Sequence, residues 1–347
     1  MNRIVPTLFL CIVLVSAGRS QTPVIVEFDA PGAGGNERQG TIGKAIADDG
    51  TIVGFYIDSN ALTHGFIRSA GGVFTAFDPP GSVGTYPAAV SSTHAIVGRF
   101  VDSRGVVHGF LRSAEGTLVT FNAPGAGKNP DQGSFLVGIN TNESIAGYYL
   151  DDSSAYHAFL ITRGGEFTAF EAHGAGTGEF QGTEASGLNP SGEIDGSFVD
   201  SNSFSHGYVR APSGTFREFD PQGSLGTYVA GINKQGTVAG VYIPSSGLGA
   251  GFVRTEDGQI TSFGTTWSSF GIGTINASGE VTGYYYDSQL VSYGFVRGAN
   301  GIITDFSAPD AGRGSSQGTY ANANNTAGAV TGYYTDSQGV YHGFVRQ

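Results

Sequence analysis

Seven copies of one short phrase divide this chain into units. The phrase reads His-Gly-Phe at His64 and His108, His-Ala-Phe at His157, His-Gly-Tyr at His206, Ala-Gly-Phe at Ala250, Tyr-Gly-Phe at Tyr293 and His-Gly-Phe at His342. Successive copies stand 44, 49, 49, 44, 43 and 49 residues apart. A unit of that length cannot bury its own apolar face, so the units must stack on one another to share a core. Each full unit holds four strand-like runs separated by turn signals. In the fifth unit the first two are Gly226–Asn233 and Thr237–Ile243; in the first unit the last two are His64–Arg68 and Val73–Asp78. Asn-x-x-Gly turns such as Asn189–Gly192 and Asn276–Gly279 suit tight hairpins with glycine at positive φ. No stretch keeps a 3.6-residue apolar period, so helix is expected to be nearly absent.

Four-stranded units of this size predict an all-β fold, a seven-bladed β-propeller. The chain opens on Val24–Asp29, which resembles the last line of a unit, and its final unit stops at Gln347 after three strands. A ring can use that spare strand to complete its last blade and remove an exposed edge, whereas an open solenoid cannot. Residues 21–347 are therefore expected to form a single propeller domain in which the N-terminal strand 24–29 completes the last blade. Strand order puts the Asp-x-Pro-Gly loops and the Asp-Ser loops on one rim and the Asn-x-x-Gly turns on the other.

On these residues, above all His157-Ala158-Phe159, the chain is similar to the HAF-repeat family of bacterial extracellular proteins. The resemblance runs through the whole mature chain. It implies an exported bacterial repeat protein and no particular reaction.

Residues 1–20 read as a secretory signal peptide: Met1-Asn2-Arg3 is positive, Ile4–Ala17 is apolar, and a small polar segment follows. The apolar run falls short of the ~20 residues needed to span a bilayer. The destination expected is secreted or periplasmic. The one cysteine, Cys11, lies inside this segment, so the mature chain has neither disulfides nor thiolate metal sites. With 57 glycines, 24 phenylalanines, 16 tyrosines and a net charge of −12, the composition suits short strands and tight turns. The charge disfavours nucleic acid and anionic membrane surfaces as partners. A monomer is expected, with no membrane insertion once the signal is removed.

The recurring His64, His108, His157, His206 and His342 each follow an aspartate by five or six residues: Asp58, Asp102, Asp151, Asp200 and Asp336. A pair present in most units points to a brace of the fold and not to one catalytic centre. Recurring Arg68, Arg112, Arg210, Arg254, Arg297 and Arg346 predict a salt bridge or carbonyl contact between units, with Arg163 as a displaced equivalent. Phe66, Phe110, Phe159, Phe252, Phe295 and Phe344 predict packing between units. No catalytic or metal-ligating residue is assigned and no cofactor is expected. Calcium needs about 6–8 oxygen ligands, and only the loop at Leu150–Ser154 is rich enough to keep it open.

The departures from the repeat say more about function. The fifth unit loses its aspartate and histidine and carries Phe263–Gly271 with Trp267, the single tryptophan; the sixth replaces histidine with Tyr293. Trp267, Phe270, Tyr286 and Tyr293 are the candidate ligand-binding residues, aromatic faces for a sugar ring or a peptide, with a tryptophan wedged between units as the alternative. The function expected is a non-enzymatic binding or scaffold protein that recognises a glycan or a protein through one rim. Two alternatives remain: a polysaccharide-active hydrolase or lyase, for which the non-recurring His94 and His173 are the first residues to examine, and a passive cell-surface structural protein.

Overall fold

The computed structural model describes residues 23–245, 247, 249–264 and 269–347. Residues 1–20, read above as a signal peptide, lie outside this range. Among the described residues every regular element is a β-strand, 28 in all. The first full unit runs Gly40–Ile46, Ile52–Ile57, Thr63–Arg68 and Phe74–Phe77, each strand antiparallel to the next. The pattern returns with first strands at Ser82–Val90, Gly133–Ile139, Gly182–Leu188, Ser224–Ile232 and Phe270–Ile275. The last group has three strands, Gly318–Asn324, Val330–Thr335 and Tyr341–Arg346. The N-terminal strand Ile25–Phe28 pairs with the third of these, Ile25 opposite Arg346 and Phe28 opposite Gly343. Val24 and Gln347 exchange two further backbone hydrogen bonds of 2.8 and 2.9 Å.

The units are joined in three ways. First, the opening residue of a first strand bridges the third strand of the preceding unit in parallel, as at Gly133–Val107, Gly182–Tyr156, Gly318–Ser292 and Gly40–Tyr341. All four are glycines with φ between 114° and 127°. A Cβ at any of them would collide with the carbonyl oxygen of its partner, so no other residue fits. The group from Ser224 to Phe263 pairs only within itself.

Second, the Asn that opens the first turn in the third to seventh units, Asn-x-x-Gly except at Asn140–Glu143, does more than shape its own hairpin. Its Oδ1 accepts turn amides while its Nδ2 donates to the next unit. Asn140 donates to Asn189 O (3.2 Å), Asn189 to Asn233 O (3.1 Å), Asn233 to Asn276 O (3.2 Å) and Asn276 to Asn325 O (2.8 Å). Asn325 then donates to Ala47 O (3.0 Å), linking the last unit to the first. These side chains are buried, where an unmade amide bond is costly.

Third, the core lies between units. Phe66, Phe110, Phe159, Phe252, Phe295 and Phe344 are fully buried, and Tyr208 takes their place in the fourth unit. The recurring arginine contacts its neighbour through an aromatic ring and not a carboxylate. Arg68 lies 4.7 Å over Phe28, Arg112 5.2 Å over Phe77, Arg210 4.4 Å over Phe170, Arg254 4.8 Å over Phe219, Arg297 5.1 Å over Phe263 and Arg346 4.9 Å over Phe306. Each ring ends the fourth strand of the preceding unit, and a desolvated cation over a ring face is worth up to ~2 kcal/mol. Arg163 takes no part. It lies beyond its strand, which ends at Ile161, and pairs at the surface with Glu143 (3.4 Å).

Candidate binding site

Each recurring histidine stacks on the aromatic residue directly opposite it in the second strand: Tyr56, Phe100, Tyr149, Phe198 and Tyr334, at 4.8–5.0 Å between ring centres. Its Nε2 faces the aspartate singled out from the sequence, at 3.7 Å (Asp58), 3.4 Å (Asp102), 3.3 Å (Asp151), 3.8 Å (Asp200) and 3.6 Å (Asp336). The nearer partner is on Nδ1 and was missed: Asp78 (2.7 Å), Asn122 (2.6 Å), Glu171 (2.6 Å), Asp220 (2.7 Å) and Asp29 (3.0 Å). These residues follow the phenylalanine that ends the fourth strand, 14 residues beyond the histidine in the first four units. That spacing is a sequence signal. The aspartate before each histidine has work of its own: Asp58 Oδ1 accepts the amides of Asn60 and Leu62 and so closes the loop.

The hydrogen bond to Glu171 raises the proton affinity of His157, and the hydrogen bond to Asp29 does the same for His342, in each case against partial desolvation. A histidine that binds its proton more tightly when folded stabilises the protein fully below its unfolded pKa of about 6.5, and that contribution disappears as pH rises through the higher folded value. We expect His342→Gln to flatten the loss of stability above pH 6.5 in urea titrations; an unchanged profile would remove the ion pairs from the account.

A different set of side chains converges on the centre. Six of the first strands carry a β-bulge at the same level, and the extra residue of each is Lys44, Ala88, Val137, Ser186, Ala230 or Asn322. The strand Phe270–Ile275 has its irregularity at Gly273–Thr274. A bulge re-aims a side chain that regular pairing would place elsewhere. All of these residues line one cavity of about 510 Å³ bounded by the seven first strands. Lys44 is the one charged member of the set, and Arg99, from the second strand of the second unit, reaches the same cavity.

On the loop side of this level, aromatic rings form two arcs. One runs Phe55–Tyr86 (5.3 Å), Arg99 over both Tyr86 (5.0 Å) and Phe135 (5.6 Å), then Phe135–Tyr148 (4.7 Å) and Tyr148–Tyr156 (6.0 Å). The other runs Tyr286–Tyr284 (5.8 Å), Tyr284–Tyr320 (5.0 Å), Tyr320–Tyr333 (4.6 Å) and Tyr333–Tyr341 (5.4 Å). Glu184 occupies the equivalent first-strand position in the fourth unit, opposite Ser197. Burial pushes its carboxyl up to about 7.

Of the sequence candidates, Tyr286 belongs to the second arc. Phe270 opens its strand opposite Tyr285, beside Gly249. Tyr293 stands where other units have histidine, stacked 5.5 Å from Tyr285; none of Phe270, Tyr286 and Tyr293 is among the residues lining the central cavity. Trp267 lies outside the described residues. His173 lines a surface cavity of about 470 Å³ with His206 and Asp220, while His94 sits on the opposite rim, 2.8 Å from Asp49. They do not share a site. Among the described residues no three His, Cys, Asp or Glu side chains are placed to hold a metal ion.

Solved structures share this architecture. A streptogramin B lyase is 13% identical, with a TM-score of 0.61 over 93% of this chain and 97% of its own. Virginiamycin B lyase from Staphylococcus aureus is likewise 13% identical, with a TM-score of 0.60 over 94% of this chain and 100% of its own. The BP39L lectin from Burkholderia pseudomallei is 10% identical, with a TM-score of 0.57 over 87% of this chain and 95% of its own. The fold is β-propeller-like. At these identities the likeness speaks for the fold alone. No family model and no curated protein matches the chain.

Proposed function

We propose that this chain is an exported, non-enzymatic binding protein of the HAF-repeat kind, a monomer that takes a glycan into the loop-side mouth of its central channel. In this reading the scaffold is a seven-bladed ring that the N-terminal strand closes. The recurring histidines, aspartates and arginines hold the blades together, and the ligand is met by what does not recur. The observation that carries the reading is the pair of aromatic arcs on the loop side of the central cavity. Most of these rings meet edge to face and, apart from buried Tyr320, are half-buried, and the surface they leave open suits sugar rings, which present flat apolar patches. The propeller-like fold is found in proteins named as a lectin and as lyases, so the fold admits binding and catalysis alike and the side chains must decide.

The test is a glycan array probed with residues 21–347, with calcium and with chelator. We expect a reproducible hit that survives chelation and is lost in Tyr86→Ala and Tyr286→Ala, with melting temperatures close to that of the parent. A blank array contradicts the reading and favours a passive structural role.

One observation favours the hydrolase or lyase alternative. Glu184 keeps its proton near neutral pH and stands close enough to Tyr148 and Tyr156 for its charge to raise both phenol pKa values. Those are the attributes of a general acid or base. Release of reducing ends or unsaturated products from a polysaccharide, abolished by Glu184→Gln, would establish it.

A further inference from the structure

We propose that the channel ligand is an acidic sugar whose carboxylate is held between Lys44 and Arg99; this rests on the glycan reading above and names its substrate class. The two cations come from neighbouring units and enter the same cavity of about 510 Å³, a size typical of small-ligand sites. Neither is there by repetition. At the bulge position the other units carry Ala, Val, Ser, Ala or Asn. At the position of Arg99 they carry Phe55, Tyr148, Ser197, Val241, Tyr284 or Tyr333.

The chain as a whole is acidic, at −12, and its outer surface pairs arginines with acids, as at Arg104 with Asp102, Arg163 with Glu143 and Arg217 with Glu193. The six recurring arginines lie over rings between units. Among the described residues no carboxylate lies within 4.0 Å of Lys44 or Arg99, so the channel holds two positive charges without a counter-charge. Both side chains are solvent-exposed at this open cavity, where they stand near enough to repel one another. Two like charges that share one cavity repel, and an anion placed between them relieves that repulsion.

The geometry favours a carboxylate, and the ring that carries it comes from the glycan reading. The Arg99 guanidinium stands over the rings of Tyr86 and Phe135, which hold it in place while it remains solvent-exposed at the cavity. A planar fork so placed matches a carboxylate in two parallel hydrogen bonds, and Lys44 adds a point charge. Phe135 is itself stacked on Tyr148, which fixes the position of the guanidinium above it.

The experiment is calorimetric titration of residues 21–347 with trigalacturonate, with the neutral galactose trisaccharide, and with a hexaglutamate peptide. We expect trigalacturonate to bind, the neutral sugar to bind roughly tenfold more weakly or worse, and Lys44→Asn and Arg99→Gln each to cost roughly tenfold in affinity. Asn already occupies the bulge position in the last unit, so Lys44→Asn is a substitution this fold accommodates; a thermal melt of each variant checks it. Equal binding of the two sugars, indifferent to both substitutions, overturns the acidic ligand and leaves the glycan reading standing. Binding of hexaglutamate in place of trigalacturonate overturns the sugar. Binding of none overturns this proposal, while the array above decides the broader reading independently.

Discussion

Removal of residues 23–29 unfolds the protein or leaves it open and prone to associate, although it deletes only one four-residue strand. That strand covers the edge of Tyr341–Arg346. Phe28 belongs to the same buried cluster as Ile52, Tyr56 and Phe66, under the guanidinium of Arg68. Glu27 accepts from Tyr334 Oη (3.1 Å) and from the amide of Asp310 (3.2 Å), and Asp29 holds His342. Phe28→Ala alone is expected to cost about 3–5 kcal/mol. The loss should be repairable. In the first unit Ser69-Ala70-Gly71-Gly72-Val73 forms the turn that leads into the fourth strand, with Ser69 N bonded to Val73 O. Gln347 and Val24 stand in the same relation, Gln347 N bonded to Val24 O, with no chain between them. Joining Gln347 to residues 24–30 through Ala-Gly-Gly, in a protein truncated before Pro31, should restore the melting temperature. Failure of that transplant, with the chain otherwise soluble, would argue against a ring closed by this strand.

The second large effect comes from Asp195. It is buried in the second strand of the fourth unit, and neither carboxylate oxygen has a hydrogen-bond partner. The same position holds Val53, Val97, Ala146, Ala239, Thr282 and Thr331 in the other units, all of them buried. Thr282 and Thr331 donate to the carbonyls of Phe295 and Phe344. Desolvation pushes the Asp195 carboxyl from 3.8 up to about 7. The unfolded chain therefore loses this proton near pH 4 and the folded chain keeps it, so stability falls as pH rises from about 4 to 7, by about 4 kcal/mol. Asp195→Thr should raise the melting temperature by several degrees at pH 8 and remove most of that slope. A variant less stable than the parent at pH 8 would mean that the carboxylate has a role this account omits.

The strands around each anchor were legible because alternation and glycine turns are local. Contacts between units were not. The arginine period was plain, but the ring beneath each guanidinium lies in the preceding unit, and nothing in the spacing chooses a phenylalanine over a carboxylate. The nearer partner of each histidine was legible in principle, as the acid or amide after the fourth-strand phenylalanine, but the aspartate closer in sequence drew attention away from it. The five extra residues of the longer units carry no motif that announces their contacts. They build loops in which Gln39, Gln132, Gln181 and Gln317 accept a loop amide through Oε1 and donate to the following Asp-Ser loop through Nε2. The channel was the least legible of all, because its bulge residues share no chemistry. Lys44 gives no sign in the sequence that it points inward.

The central claim is that ligand recognition belongs to the residues that break the repeat. The direct test is the affinity of the array's strongest ligand for three proteins: the parent, Arg99→Gln and His64→Ala. We predict that Arg99→Gln stays folded and weakens binding roughly tenfold, whereas His64→Ala loses some stability and keeps the parent affinity. The opposite pattern, binding abolished by His64→Ala and untouched by Arg99→Gln, would place recognition on the outer rim and contradict the account.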